Sequence, residues 1–236
     1  MKVAVMYSGG KDSVYAIDYA LRKGWTIDYL LSVKPNRTDC YLFHFPTVEH
    51  TPKLAEVLDI KHILIPCAVA DPLQEATLVR EVVEKNPVEA VILGGVGLQK
   101  TQLMSLQNAL HPLNIEVFAS HAGEDEETVM REMISRGFKI ILTQFATDGL
   151  DMDWLGKELT LENFEKLKKL SIKYGFDLLG EGGYYDTLVT DGPIFNKALS
   201  IVDSYKVAES KYSGHLVITQ TTMIEKQVIA PKSITH

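Results

Sequence analysis

Only 2 cysteines, Cys40 and Cys67, occur in 236 residues. Their separation matches no metal or redox spacing, so each reads as a small buried side chain in a reducing compartment. No apolar run approaches the length of a membrane span, and the first strand begins at the N-terminus with no room for a secretory signal, so a cytoplasmic protein is expected. Clustered basic charge is also scarce. Lys and Arg total 24 against 31 Asp and Glu, so 24 − 31 gives a net charge of −7, and no Lys/Arg group interleaved with aromatics builds a groove for nucleic acid. The cations that do gather, Lys166, Lys168, Lys169 and Lys173, lie on the solvated face of an amphipathic helix. There is no repeat of fixed period. The two most familiar glycine loops are missing too: a Walker A loop needs glycine at position 5 and Ser or Thr at position 12, where Val5 and Asp12 stand, and no G-x-G-x-x-G follows the first strand.

What is present is ordinary for a packed globule, at 46% hydrophobic residues, and is organised around one stretch, Tyr7-Ser8-Gly9-Gly10-Lys11-Asp12-Ser13. The apolar run Lys2 to Met6 before it predicts a strand buried on both faces. Val14, Ile17 and Leu21 after it recur at helical spacing, with Lys23 and Gly24 closing the helix. Two glycines at such a strand-to-helix turn let backbone N–H groups face inward, two serines add hydroxyls, and the helix N-terminus adds partial positive charge. The result is an anion cradle. Lys11 supplies a full charge, and a carboxylate beside a phosphate site, Asp12, suits Mg²⁺ or the orientation of a neighbour.

Along the chain, Trp25–Val33 reads as strand two, ended by Pro35-Asn36. The Asp39 to His44 segment follows at an exposed edge. Loops after strands one and two flank one crevice in an open α/β sheet, which puts His44 either near a nucleotide or in a packing role. Helix Thr51 to Leu58, strand His62 to Pro66, helix Asp71 to Lys85 with Pro72 in its first turn, and strand Glu89 to Leu93 come next. Gly94, Gly95 and Gly97 at the end of strand four imply close approach of backbone to a neighbouring chain or, on the edge that the Ser8 loop occupies, to a ligand. A helix from Lys100 to Leu110 and a strand from Ile115 to Ala119 complete five alternating units, the pattern of a doubly wound, Rossmann-like parallel sheet.

Residues 121–236 differ in composition and are read as a smaller α+β domain behind an ATP-binding domain over 1–120. Helices Glu124 to Arg136 and Leu161 to Tyr174 enclose a strand from Lys139 to Thr143. The stretch Gly180 to Phe195 follows, with Glu181, Tyr184, Tyr185 and Asp186 on what reads as a flexible polar loop. Such a loop suits a cationic or amide-bearing ligand, Mg²⁺ or ammonia, or is simply an approach to a hairpin. Ala198 to Val207 and His215 to Thr221 alternate like antiparallel strands, and the tail from Ile224 is expected to fray.

The Tyr7 to Ser13 stretch resembles the Ser-Gly-Gly-x-Asp-Ser signature of the PP-loop ATP pyrophosphatases. Together with Tyr41-x-Phe43-His44, Gly149-Leu150-Asp151, Trp154-Leu155-Gly156 and Gly180-Glu181-Gly182-Gly183 followed by Thr187 and Asp191-Gly192-Pro193-x-Phe195, it makes the chain similar to the diphthine–ammonia ligase family over nearly its whole length. The resemblance implies a HUP-type fold and cleavage of ATP between its α and β phosphates. It also implies transfer of AMP to a carboxylate and displacement of AMP by ammonia. Phosphate binding then falls to Ser8, Gly9, Gly10, Lys11, Asp12 and Ser13, with His44, Gly94 and Gly95 nearby. Asp12 takes part in holding Mg²⁺, and Glu181, with Asp186 second, handles the ammonium.

Expected partners are ATP and a carboxylate acceptor, either elongation factor 2 or a small molecule, with neither membrane nor nucleic acid. A homodimer is left open. Three departures from the family pattern fall on the acceptor side. Tyr184-Tyr185-Asp186 stands where a glutamate, an aromatic and His or Glu are usual. Gln99-Lys100-Thr101 replaces a Tyr-Gln-Arg-x-Arg helix start, and Ala119 to Gly123 lacks a Trp and Arg. A tRNA-thiolating enzyme would need catalytic cysteines and a basic groove. A nucleotide-binding protein with another acceptor, or without turnover, is the remaining alternative.

Overall fold

The computed structural model describes residues 1–35, 48–68, 71–94 and 100–226. Its centre is a five-stranded parallel sheet of β1 (Lys2–Met6), β2 (Thr26–Pro35), β3 (His62–Cys67), β4 (Ala90–Leu93) and β5 (Glu116–Ala119), in the order β3-β2-β1-β4-β5. All four pairings are parallel. Parallel neighbours need crossovers, and these are supplied by α1 (Lys11–Arg22), α2 (Thr51–Leu58), α3 (Pro72–Lys85) and α4 (Lys100–Leu110). Strand order reverses between β1 and β4. A doubly wound sheet opens its ligand crevice at that point, beyond the C-terminal strand ends.

Period-two alternation sends side chains from this sheet into two cores. Val3, Val5, Leu30 and Ile92 join α1 on one face, while Ala4, Leu31, Val91 and Leu93 join α3 and α4 on the other. The first core continues without a break into the second half of the chain, through Met130, Phe145, Phe164 and Leu188. That half holds α5 (Glu126–Ser135), α6 (Leu161–Tyr174) and an antiparallel sheet of β6 (Lys139–Ala146), β7 (Tyr185–Asp191), β8 (Lys197–Ala208) and β9 (Ser213–Glu225), in the order β7-β6-β9-β8.

Helix ends follow local chemistry. Asp71 caps α3, accepting from the N–H groups of Leu73 and Gln74, with Pro72 opening the first turn. Thr160 and Gly175 bracket α6, the glycine in the left-handed region at φ 76°. A polar clasp joins the halves: Asp18 of α1, 1% exposed, receives both ends of the Arg136 guanidinium, at 2.5 and 2.7 Å.

Two expectations need correction. Ile224 still belongs to a strand, because β9 runs to Glu225 and Ile224 pairs with Ala198; a long partner strand supplies the ladder bonds that its polar surroundings hid, and the tail beyond residue 226 lies outside the described residues. The Gly180 loop is not the approach to a hairpin, since it leads from α6 into β7, which pairs with β6.

Candidate active site

The loop after β1 is built by its neighbours. Tyr7 donates its N–H to Leu31 O at 2.6 Å and accepts from Ser32 Oγ at 2.5 Å, so the chain leaves β1 still fastened to β2. Gly9 then turns at φ +82°, a region costly for any residue with a Cβ, and a Cβ there would stand 2.8 Å from Leu54 Cδ1. Gly10 is the N-cap of α1 and brings no side-chain cap, so the helix start is left to the loop. Ser13 Oγ donates to Gly10 O at 2.9 Å and lies 3.3 Å from Ser8 Oγ. The second sheet supports this turn from below: Val189 donates its N–H to Gly9 O at 2.9 Å, and Thr187 Oγ1 accepts from Lys11 N–H at 3.1 Å.

Gly94 ends β4 against the same turn. A Cβ on it would lie 2.6 to 2.8 Å from the Asp12 carbonyl carbon, oxygen and Cβ, so this glycine is what lets α1 start beside β4. Its neighbour Gly95 and the histidine His44 lie outside the described residues.

Lys11 and Asp12 meet each other. Lys11 is 5% exposed, its Nζ is 2.7 Å from Asp12 Oδ2, and it stands 5.8 Å from the Tyr185 ring centroid. Behind Asp12 sits His121, 4% exposed, with Nε2 3.8 Å from Asp12 Oδ1. Burial lowers the His121 pKa, partly opposed by the Asp12 charge, which keeps the ring neutral at neutral pH. Among the described residues no group of three or more His, Cys, Asp or Glu is placed to enclose a metal ion.

These elements line a cavity of about 440 Å³, floored by Ser8, Gly10, Lys11, Asp12 and Gly94 and roofed by Leu179 to Gly183, Tyr185 and Asp186. The roof is pinned rather than flexible. Asp177 Oδ1 accepts from the N–H groups of Leu179 and Glu181 at 2.9 Å, and Tyr185 Oη donates to Leu178 O at 2.6 Å. Glu181 lies on the roof loop, and Asp186 belongs to β7, paired with Gln144. Tyr184 is not among the residues lining the cavity; its ring packs 6.2 Å from that of Phe176. Tyr184 is therefore a packing residue.

An apolar arm of the cavity runs between Leu31, Val33, Ala76, Val79, Leu93 and Leu106, and it contains one carboxyl, Glu75. Burial pushes Glu75 up to about 7, against a hydrogen bond from Gln102 Nε2 at 3.2 Å and with a small push from the Asp71 charge. Sequence reasoning passed over Glu75, Gln102, Thr187 as a phosphate-loop support, and His121. A signal existed for Glu75: it shares the buried stripe of α3 with Ala76, Val79 and Val83, and a carboxylate on the apolar face of a helix is rarely idle.

With this geometry in place, two family models match. One described as the diphthamide synthase N-terminal domain covers residues 1–106, and one described as the diphthamide synthase C-terminal domain covers residues 125–224. A diphthine–ammonia ligase of Homo sapiens is 31% identical over 231 residues, spanning 88% of this chain and 85% of that one. The chain belongs to the diphthine–ammonia ligase family. The Mus musculus relative is 31% identical over 234 residues, covering 89% and 86% of the two chains. A diphthine–ammonia ligase of Saccharomyces cerevisiae is 26% identical over 253 residues, 89% of this chain but 36% of that longer one. A solved structure titled as a predicted subunit of tRNA methyltransferase from Methanocaldococcus jannaschii aligns over 81% of this chain and 99% of that one, at 18% identity and a TM-score of 0.42.

Proposed function

We propose that this protein is an ATP-dependent ligase that adenylates a carboxylate, releasing pyrophosphate, and then exchanges AMP for ammonia to give an amide. One observation carries the reading: the phosphate loop of the parallel sheet and the Glu181 loop of the antiparallel region line a single cavity. Nucleotide and acceptor can therefore meet in one site.

The residues divide the work. Ser8, Gly9, Gly10 and Ser13 cradle the phosphates, and Lys11 exchanges Asp12 for the β and γ oxygens as negative charge builds on the leaving pyrophosphate. A carboxylate oxygen attacks the α-phosphorus while the bond to the β-phosphate oxygen breaks. Asp12 fits a share in Mg²⁺ binding, because this ion takes one or two carboxylates and leaves its other positions to phosphate and water. When bound there, it would spread the charge of the departing group. In the second half, ammonia attacks the acyl carbon and the acyl–oxygen bond to AMP breaks. Glu181, with Asp186 behind it, holds the ammonium and takes its proton. The acceptor is elongation factor 2 or a smaller carboxylate. Tyr184 packed on Phe176, at a position where the family resemblance leads to a glutamate, favours a second reading, in which the same ATP chemistry serves a different acceptor.

The test is AMP release from Mg-ATP and ammonium, with and without elongation factor 2 bearing diphthine. AMP that depends on the acceptor and disappears in Lys11→Ala is expected. Tight ATP binding with no AMP under any acceptor would sink the ligase reading. Glu181→Gln should leave ATP binding intact and slow amide formation on the order of 100-fold.

A further inference from the structure

We propose that Glu75 is the specificity-determining residue for the nucleobase, its carboxyl, fixed by Gln102, offering one acceptor and one donor to the Watson–Crick edge of adenine. The proposal deepens the ATP-binding reading given above and rests on it.

A nucleotide brings unlike ends into one cavity. Its phosphates suit the polar floor of Ser8, Gly10, Lys11 and Asp12, and its base needs a slot that is apolar on both faces and polar at the rim. The arm beyond Leu31 and Val33 has that composition. Ala76 and Val79 from α3 and Leu106 from α4 add to its walls, as does Leu93, the last residue of β4. Among the described residues Glu75 is the carboxyl in this arm, 9% exposed, and Gln102 Nε2 donates to its Oε2 at 3.2 Å. A carboxyl among apolar walls is costly unless something uses its hydrogen-bonding atoms.

The pattern of donors and acceptors then selects the base. Burial holds Glu75 protonated up to about 7, against the Gln102 bond and with help from the Asp71 charge. Gln102 already donates to Oε2, so Oε2 keeps the acceptor role and Oε1 carries the proton. The edge of adenine is the complement: its N1 accepts from Oε1–H, and its N6 amino group donates to the second lone pair of Oε2. Guanine offers the donors N1–H and N2–H at the matching positions. That pair fits an ionised carboxylate and sets donor against donor at a neutral one. The surroundings favour the neutral form. Asp71, at the N-cap of α3, opposes ionisation, α4 contributes the uncharged Gln102, and β2 and β4 contribute Leu31, Val33 and Leu93.

The experiment is calorimetric titration of Mg-ATP and Mg-GTP into wild-type protein, Glu75→Gln and Glu75→Leu at about pH 6 and about pH 8.5, with thermal melting of each variant. Wild-type protein should prefer ATP about 30-fold at the lower pH, the worth of one bidentate base contact. That preference should fall about tenfold at the higher pH, where the carboxylate forms. Both nucleotides carry the same triphosphate, so the ratio of their affinities cancels protonation of the phosphates and of His121. Glutamine presents the same acceptor and donor without titrating, and its preference for ATP should hold at both pH values. Leucine should bring the two nucleotides within about threefold of each other while its Tm holds or rises; Glu75→Met stands in if it fails to fold. Equal affinities in the wild-type protein, a wild-type preference that does not change with pH, or a leucine variant that keeps the preference overturns the role of Glu75 and leaves the proposed function standing. So does a leucine variant that raises the KM of the carboxylate acceptor with its nucleotide preference unchanged, which would give the arm to the acceptor. Absence of ATP binding by the wild-type protein overturns both.

Discussion

Two glycine-rich loops face each other across the cavity, and they are held by different means. The Ser8 to Ser13 loop hangs from the centre of a parallel sheet, fastened by Tyr7 to β2, closed by Gly94 at the end of β4 and braced from β7 through Gly9 and Lys11. Its anchors on the two sheets are backbone bonds, Tyr7 N–H to Leu31 O and Val189 N–H to Gly9 O, supplemented by the hydroxyls of Ser32 and Thr187. The Gly180 to Tyr184 loop adds to its own turn bonds and one bond to β6 the Asp177 carboxylate and the Tyr185 hydroxyl, which fix its start and end. Backbone-built sites survive drift in most side chains, whereas a loop held by a few side chains can be re-aimed by single substitutions. Of the departures that the family resemblance points to, Tyr185, Asp186 and Thr101 line the cavity, whereas the Ala119 to Gly123 segment lies beside Asp12 on the phosphate side, with His121 Nε2 3.8 Å from Asp12 Oδ1.

The most severe way to break the phosphate side is Lys11→Ala. Loss of one preorganised charge should lower the rate of AMP formation about 10²- to 10³-fold, measured at saturating Mg-ATP, while the melting temperature stays close to wild type. Next comes the joint between the two sides. Arg136→Ala strips the bidentate partner from buried Asp18 and leaves it Arg22 Nε at 2.9 Å, and should destabilise the fold by about 2 kcal/mol, seen as a lower denaturant midpoint at pH 7.

A smaller effect probes the Glu75 arm. Folded protein holds the Glu75 proton to about pH 7, whereas a solvated glutamate loses it near 4.5. Its burial is therefore least costly below about pH 4.5, and the cost grows as pH rises through 7. Glu75→Gln stays neutral throughout, so its Tm advantage over wild type should be a few degrees at pH 8 and near zero at pH 5; an advantage independent of pH would show that the carboxyl is not held neutral. The mildest test is Thr187→Val, which removes the acceptor of the Lys11 N–H. It should cost about 1 kcal/mol of ATP affinity, and no change at all would mean that β7 does not brace the phosphate loop.

Much of this was legible in the residues. The strand-to-helix turn at Ser8, the five-strand alternation and the termini of α2, α3, α4 and α6 follow from buried apolar runs, helical spacing, Pro72 and Gly175, all of them local signals. Glu75 was readable in principle from its place on the buried stripe of α3. His121 was not. Nothing within a dozen residues of it refers to Asp12, and the contact exists only because β5 lies beside β4, which lies beside β1. The pinned roof loop escaped for a related reason: Asp177 and Tyr185 bond across a turn whose shape depends on positive-φ glycines, among them Gly180 and Gly182.

By itself the sequence determined that the chain folds as alternating strands and helices around an anion cradle at Ser8 to Ser13, because hydrophobic period and turn chemistry act over a few residues. Tertiary structure alone decided that Lys11 rests on Asp12, that Thr187 and Val189 of a different sheet brace the phosphate loop, that Tyr184 turns to Phe176, and that Glu75 and His121 come to the same site. Thr187, Val189 and His121 all stand more than 100 residues from the partners they reach, and only the closing of two sheets over one continuous core brings them within range.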